Sequence, residues 1–330
     1  MVGAMEIGFG APVSGRWATP ADLASFGARA EAAGYASLWT FQRLLVPAGS
    51  RMEPVYRSVL DPMVALGFLA AGTSRIRLGV ALVNMPFVSP GYLAKQAATV
   101  DVLSGGRLDL GLGIGWLPEE FTLTGASMAR RGARAEEYLN VLRVLWGPGP
   151  GGNGGNGGAG SGAPGAAPLS RFDGEFYTVP AERQDPQPVQ RPGPPVILGG
   201  MSRAAMERAG RMADGWMTSS RADLSRISDD IKVVRTAAAD TGRDPDQIRI
   251  ICRGVVRAGT EARSAETGER LLLSGSYAQI RADTGWLGEQ GVTEVFYDLN
   301  WDPLVGSPDV EHGAATARAG EIMAALAPAR

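Results

Sequence analysis

Along most of the chain a short apolar run is followed by a turn and then by a longer stretch with apolar residues every three or four positions, the pattern of strands alternating with helices. Residues 6–9 read as the first strand. Thr19-Pro20-Ala21-Asp22 then supplies an N-cap, a proline at the first helical position and an early acidic residue. Leu23, Phe26, Ala30 and Ala33 form that helix's apolar face, and Gly34 ends it. Residues 35–40 are the second strand. Asp61-Pro62 and Ser89-Pro90 repeat the cap-plus-proline device, opening helices that run to about Gly72 and to Ser104-Gly105-Gly106. Between them, residues 75–83 (RIRLGVALV) form the continuous apolar run expected of a strand covered on both faces. A fourth strand at 107–113 precedes a helix over about 129–146. Further strands are predicted at 195–198, 216–218, 248–256 and 292–299, with helices at 202–213 and 224–241, within 262–290, and at 314–326.

Eight such units, each strand reading as parallel and doubly covered, predict an α/β fold of the TIM (β/α)8 barrel type rather than an open doubly wound sheet. The 330 residues exceed the ~250 of a plain barrel and leave room for insertions, so one barrel domain over 1–330 is expected. The segment 147–170 is almost entirely Gly, Pro, Ala, Asn and Ser. With no large apolar group before Leu169 it reads as a flexible insertion within the barrel. Asp173-Gly174, set between apolar and aromatic residues, predicts a small hairpin over 171–180. Long loops at 41–60, 117–129 and 298–308 are expected to shape a pocket.

Composition narrows the chemistry. With 32 basic and 34 acidic residues the net charge is −2, and no basic block is present, which argues against a nucleic-acid partner. Cys252 and His312 are the only residues of their kinds, which excludes an internal disulfide, a multi-thiolate metal site and a histidine cluster; no metal is expected. Lys95 and Lys232 are the only lysines, so nearly all positive charge is arginine. No secretory pattern opens the chain and no run of ~18 apolar residues occurs, so a cytoplasmic protein that is not inserted in a membrane is expected.

Two glycine-rich turns draw attention. Leu198-Gly199-Gly200-Met201-Ser202 ends a strand and opens a helix; its glycines let backbone N–H groups approach an anion while Ser202 caps an electropositive helix start. Gly111-Leu112-Gly113-Ile114-Gly115-Trp116 leaves the fourth strand, its alternate glycines suited to a flat ring lying against the backbone beside Trp116.

These residues, with several others, resemble the luciferase-like flavin and deazaflavin oxidoreductases over nearly the whole chain. The resemblance rests on Ala36-Ser37-Leu38-Trp39, on Arg77-Leu78-Gly79-Val80 leading to Ser89-Pro90, and above all on the run from Ala94 to Leu108 (AKQAATVDVLSGGRL). Gly113-Ile114-Gly115-Trp116 with Glu120-Phe121, Arg131-Gly132, Phe172-Asp173-Gly174, and Gly199-Gly200 with Ala213-Asp214-Gly215-Trp216 complete it. The short Gly-Gly-x-Ser turn is similar to that of the coenzyme F420 branch. The resemblance implies a deazaflavin at the C-terminal ends of the strands, its phosphate held by Gly199, Gly200, Met201 and Ser202 beside Leu198. It also implies ring contacts from Gln42, Arg43, Val80, Ala81, Val83, Gly113, Gly115 and Trp116, a non-prolyl cis peptide at Val80-Ala81, and a homodimer.

One departure matters. Relatives often carry an acidic residue and a histidine after the second strand, where this chain has Gln42-Arg43. Arginine does not deprotonate near neutrality and cannot shuttle protons as histidine does. Gln42 and Arg43 are therefore candidates for binding or charge stabilisation, with Glu120, its neighbour Glu119 or a water as the remaining candidates for proton work. Arg130 and Arg131 are candidates for the acidic cofactor tail, and Asn300-Trp301-Asp302 for the substrate pocket. The expected activity is hydride transfer between the deazaflavin C5 and a small organic substrate. The alternatives are an FMN-dependent monooxygenase and an F420-binding protein without turnover.

Overall fold

The computed structural model describes residues 5–147 and 169–328, so the proposed insertion at 147–170 lies almost wholly outside the described residues. Eight parallel strands close into a cylinder: β1 (Glu6–Gly10), β2 (Ser37–Thr40), β3 (Arg77–Val80), β4 (Leu108–Gly113), β5 (Val196–Gly199), β6 (Gly215–Met217), β7 (Arg249–Val255) and β8 (Glu294–Asp298). Each pairs with the next, and Glu6↔Glu294 through Phe9↔Tyr297 seals β1 to β8. This is the predicted TIM barrel.

The helices begin where local chemistry says they should. In α1 (Pro20–Ala33), α2 (Pro62–Gly72) and α3 (Pro90–Ser104), the side chains of Thr19, Asp61 and Ser89 accept the backbone N–H three residues on, and proline occupies the first turn. Gly34 and Gly105 end α1 and α3 in the left-handed conformation. The remaining helices are α4 (Pro118–Thr124), α5 (Arg131–Trp146), α6 (Arg203–Met212), α7 (Ile227–Ala239), α8 (Tyr277–Glu289) and α9 (His312–Ala325). The segment expected as a loop at 117–129 thus contains a helix, α4, opened by Pro118 and two glutamates. The predicted hairpin is present as Ser170–Asp173 paired with Thr178–Glu182, strapped to α5 through Glu137, whose carboxylate accepts the backbone N–H groups of Glu175, Phe176 and Tyr177. Among the described residues no helix is long and apolar enough to cross a membrane.

The continuous strand expected over 75–83 is broken. β3 stops at Val80, and the short strand Val83–Asn84 resumes beside Leu112 and Gly113. The non-prolyl cis bond lies between Ala81 and Leu82, one residue beyond the expected Val80-Ala81. Hydrophobicity could not have located this break, because Ala81, Leu82 and Val83 are apolar on both sides of it.

Most apolar side chains pack between the strands and the helices, but Trp39, Ile197, Met217, Ile251 and Phe296 form a separate cluster inside the cylinder. Below it, at the N-terminal ends of the strands, lies an ionic layer. Asp109, fully buried, accepts bidentate bonds from Arg77 (2.7 and 2.8 Å) and further bonds from Arg249, which also donates to Glu294 at 2.8 Å. The second oxygen of Glu294 accepts from the Ser37 hydroxyl and, at 2.7 Å, from Trp39 Nε1. Burial opposes the charge on Asp109, but the two guanidinium groups outweigh it and hold the carboxyl below its usual range. Glu294 shares Arg249 with Asp109, and there burial wins and pushes the carboxyl up.

Candidate active site

At the opposite, C-terminal end of the strands a cavity of about 360 Å³ opens. That is within the ~300–1,000 Å³ of small-molecule sites, and this face is where TIM barrels do their chemistry. Its walls come from the ends of successive strands: Gln42 and Arg43 beyond β2, Ala81 and Leu82 beyond β3, Gly113 to Trp116 beyond β4, and Gly199 to Met201 beyond β5. Thr218 to Arg221 follow β6, Arg253 lies on β7, and Trp301 stands beyond β8.

One side of the cavity is backbone and a single aliphatic chain. Leu82 lies across three of the glycines: a Cβ at Gly111, Gly113 or Gly199 would come within 2.9, 3.2 or 2.2 Å of it. Gly200 has φ +140°, which side-chain-bearing residues rarely adopt, and a Cβ there would stand 2.5 Å from that of Ala205. Its carbonyl accepts from Trp216 Nε1 at 3.0 Å. Ser202 Oγ caps α6 by accepting the Ala205 N–H at 3.3 Å.

The other side is built of cations and rings. The Arg43 guanidinium lies 4.5 Å from the Tyr56 ring centroid and 5.0 Å from that of Trp116. Its Nη1 is 3.0 Å from Glu120 Oε2, with the two side chains 5% and 1% exposed. The pair is close but poorly aligned, for neither Nε nor Nη1 of Arg43 has a hydrogen-bond partner. Glu120 is itself anchored from behind by the Leu44 N–H at 2.8 Å. Beside it, Gln42 Oε1 accepts from Asn84 N and Nδ2 (2.9 and 3.2 Å), Asn84 Oδ1 accepts the Gly115 N–H (3.1 Å), and the Gly115 carbonyl accepts from Arg131 (2.7 Å). This chain of bonds fixes the ends of β2 and β4 to each other.

Arg253, which the sequence did not single out, is the second interior cation. It donates to Asp298 (2.8 Å) and to the Ala81 carbonyl (2.9 Å) and lies 4.0 Å over the Trp301 ring. Arg249, Ile251 and Arg253 share the inner face of β7, while Glu294, Phe296 and Asp298 share that of the adjacent β8. One alternation therefore sets an ion pair at each end of the barrel. Arg221 at the mouth pairs with the partly exposed Glu53 at 3.2 Å and lies 5.8 Å from the Trp116 ring. Among the described lining residues there are three arginines and no carboxylate or histidine.

The expected site residues thus divide. Gln42, Arg43, Ala81, Gly113, Gly115, Trp116, Gly199, Gly200 and Met201 line the cavity. Val80, Val83 and Leu198 are buried outside its lining, Ser202 caps α6 at its edge, and Glu120 stands behind Arg43. Glu119 is exposed on α4, and Arg130 is occupied by Glu175. Of Asn300-Trp301-Asp302 only Trp301 reaches this cavity; Asn300 donates to the Ala11 carbonyl at 3.0 Å and Asp302 pairs with Arg318 at 2.8 Å. His312 contacts Asp22 at 2.6 Å on the start of α1.

A family model described as luciferase-like monooxygenase matches residues 5–303, and the chain belongs to that family. An uncharacterized protein of Mycobacterium tuberculosis is 30% identical over 235 residues, covering 67% of this chain and 73% of its own. The FMNH(2)-dependent dimethylsulfone monooxygenase of Pseudomonas putida is 29% identical over 177 residues, 53% of this chain and 43% of that enzyme. Among solved structures, an F420-dependent secondary alcohol dehydrogenase superposes with a TM-score of 0.71 at 17% identity, covering 98% of this chain and 99% of that one, a likeness of fold. The family places the chain among oxidoreductases and monooxygenases, whose neighbours include both F420- and FMN-dependent enzymes.

Proposed function

We propose that the protein is a coenzyme F420-dependent oxidoreductase that exchanges a hydride with a small organic molecule. The observation that carries this reading is the meeting, in one cavity, of the two-glycine turn at the start of α6 with a lining that holds no acid. Such a lining suits an anionic, nucleotide-like cofactor. The residues present fit the group: Gly199 and Gly200 line the cavity directly before α6, and Ser202 keeps the α6 N-terminus ordered for a phosphate. When bound, the deazaflavin supplies hydride transfer at its C5, and the protein supplies position and electrostatics.

Ala81, Leu82 and Gly113 offer the flat wall for the ring, and the Gln42–Asn84–Gly115 hydrogen bonds hold the strand ends that frame it. Trp116, half exposed, carries Arg43 and Arg221 near its ring on the wall of the same cavity. The described lining offers no carboxylate, and its hydroxyl-bearing residues are Tyr56, Thr218, Ser219 and Ser220. Titration of purified protein with F420 and with FMN tests the assignment. Micromolar or tighter binding of F420 is expected, and a preference for FMN overturns it in favour of the second reading, an FMN-dependent monooxygenase, which the Pseudomonas putida relative supports.

A further inference from the structure

The two interior cations of the cavity are not equivalent. Arg253 is paired, with a carboxylate on one side and a backbone carbonyl on the other, and none of its nitrogens is left buried without a partner. Arg43 is as deeply placed, yet its Nε and Nη1 have no hydrogen-bond acceptor. Buried donors are nearly always satisfied, and an ionised one left without an acceptor is costly. Its carboxylate cannot swing round to complete the pairing, because Glu120 is 1% exposed and tied to the Leu44 N–H. The guanidinium is also held in place by ring contacts, 4.5 Å from the Tyr56 centroid and 5.0 Å from that of Trp116. A flexible surface arginine would need to be ordered first; this one does not.

Topology says which part of the cavity this is. In an eight-stranded cylinder β1 faces β5, so the rim built from Tyr56 and Trp301 around β1 stands across from Gly199 and Gly200. On the reading above, the glycine side takes the cofactor. The rim of Arg43, Tyr56 and Trp301 is then left for the second reactant, and it is aromatic and cationic.

We propose that the Arg43 rim is the substrate subsite and that it selects a planar organic anion, a carboxylate conjugated to a ring or double bond, with Arg43 as its charge anchor. This rests on the proposed cofactor reading for the assignment of halves, although the anion preference is measurable without it. A carboxylate accepts from the guanidinium in one plane, while an attached ring stacks on the flanking aromatics. Lysine would supply the charge but neither the plane nor the stacking. The substitution of arginine where relatives often hold histidine then changes what the site accepts, rather than merely removing a proton carrier.

Tryptophan fluorescence of the cofactor-free protein, titrated with benzoate and with its neutral isostere benzamide, tests the inference. Benzoate is expected to bind about tenfold or more tightly than benzamide, the discrimination of one charge-assisted contact. Arg43→Gln is expected to erase that preference while FMN and F420 affinities stay within about threefold, less than one such contact. Arg43→Lys should keep only part of it. Equal binding of benzoate and benzamide by the unaltered protein overturns the proposal with no variant needed. So does an Arg43→Gln protein that keeps the preference, or one that loses cofactor affinity instead, since Arg43 would then belong to the cofactor half. Where the single variant fails to fold, Arg43→Gln with Glu120→Gln, which leaves no buried charge unpaired, gives the same readout. Failure of both cofactors to bind, with the benzoate preference intact, would remove the cofactor reading and leave Arg43 as an anion anchor.

Discussion

Both ends of the barrel hold arginine and carboxylate in the cylinder, and they are built on opposite principles. At the N-terminal end Asp109 takes bonds from two guanidinium groups and Glu294 from three donors, and no side-chain atom of Arg77, Asp109, Arg249 or Glu294 is left buried without a partner. At the C-terminal end Arg253 is matched to Asp298, but Arg43 meets Glu120 at poor angles and keeps two unmatched nitrogens. A closed ionic layer locks strand register. An open one carries a cost the fold must cover elsewhere and leaves a guanidinium charge incompletely matched beside the cavity. The teaching is that charge in a barrel interior is not evidence of function until its hydrogen bonds have been accounted for.

If the lower layer is purely structural, breaking it should be the most damaging change in the molecule. Asp109→Asn leaves two guanidinium groups sharing a neutral amide and is expected to cost about 3–5 kcal/mol in chemical denaturation. Ligand affinity per folded molecule should remain unaltered. Loss of affinity at full stability would break the comparison. A smaller effect is expected at the upper end from Gly199→Ala. The new Cβ would stand 2.2 Å from the Leu82 side chain, forcing it aside at about 1–3 kcal/mol. Here affinity for FMN or F420 should fall as well, because Leu82 and Gly199 both face the cavity.

The lower end also contains a carboxylate whose role is read by acid. Glu31, at the close of α1, accepts the backbone N–H groups of Ser74, Arg75 and Ile76 at 2.9, 2.6 and 2.9 Å, holding the approach to β3. Burial opposes its charge, but those bonds outweigh it and lower the carboxyl to about 2 from 4.5. A depressed pKa in the folded state stabilises above the unfolded value and loses that contribution as pH falls. Glu31→Gln should therefore cost about 1–2 kcal/mol at neutral pH. The gap to the unaltered protein should close between 4.5 and about 2 in melts across that range. A gap that is constant with pH would show that packing, not charge, is what Glu31 contributes.

Much of the barrel was legible because its signals are local. Thr19-Pro20, Asp61-Pro62 and Ser89-Pro90 mark helix starts through bonds made within four residues, and the structure places the caps there. The glycine turns were legible for the same reason. α4 was missed although Pro118-Glu119-Glu120 is a fair start signal, because seven residues are too few to show a period. The break after Val80 left no trace, since every residue around it is apolar. Arg253 and Asp298 were hidden differently. Each is one polar residue in a strand, and their meaning is carried by register: Arg249-Ile251-Arg253 beside Glu294-Phe296-Asp298 becomes two ion pairs once β7 is known to neighbour β8. The orphaned donors of Arg43 could not be read at all, because they are a matter of angle.

The sharpest contrast between the ends is the smallest in energy. Arg43→Gln alone strands Glu120 in a site where it is 1% exposed, and should destabilise. Adding Glu120→Gln removes the second charge while keeping an amide oxygen for the Leu44 N–H, so the double variant should lie within about 1 kcal/mol of the unaltered protein. An ion pair that contributes so little net stability is there for another purpose, and the benzoate preference should vanish in the same protein whose melting hardly changes. The matching neutralisation below, Arg249→Gln with Glu294→Gln, cannot be silent, because Arg249 also serves Asp109, whose carboxylate would keep only Arg77. Should the two double variants prove equally costly in urea titrations, the upper pair would have to be counted as structure, and the division between a locked end and an open one would fail.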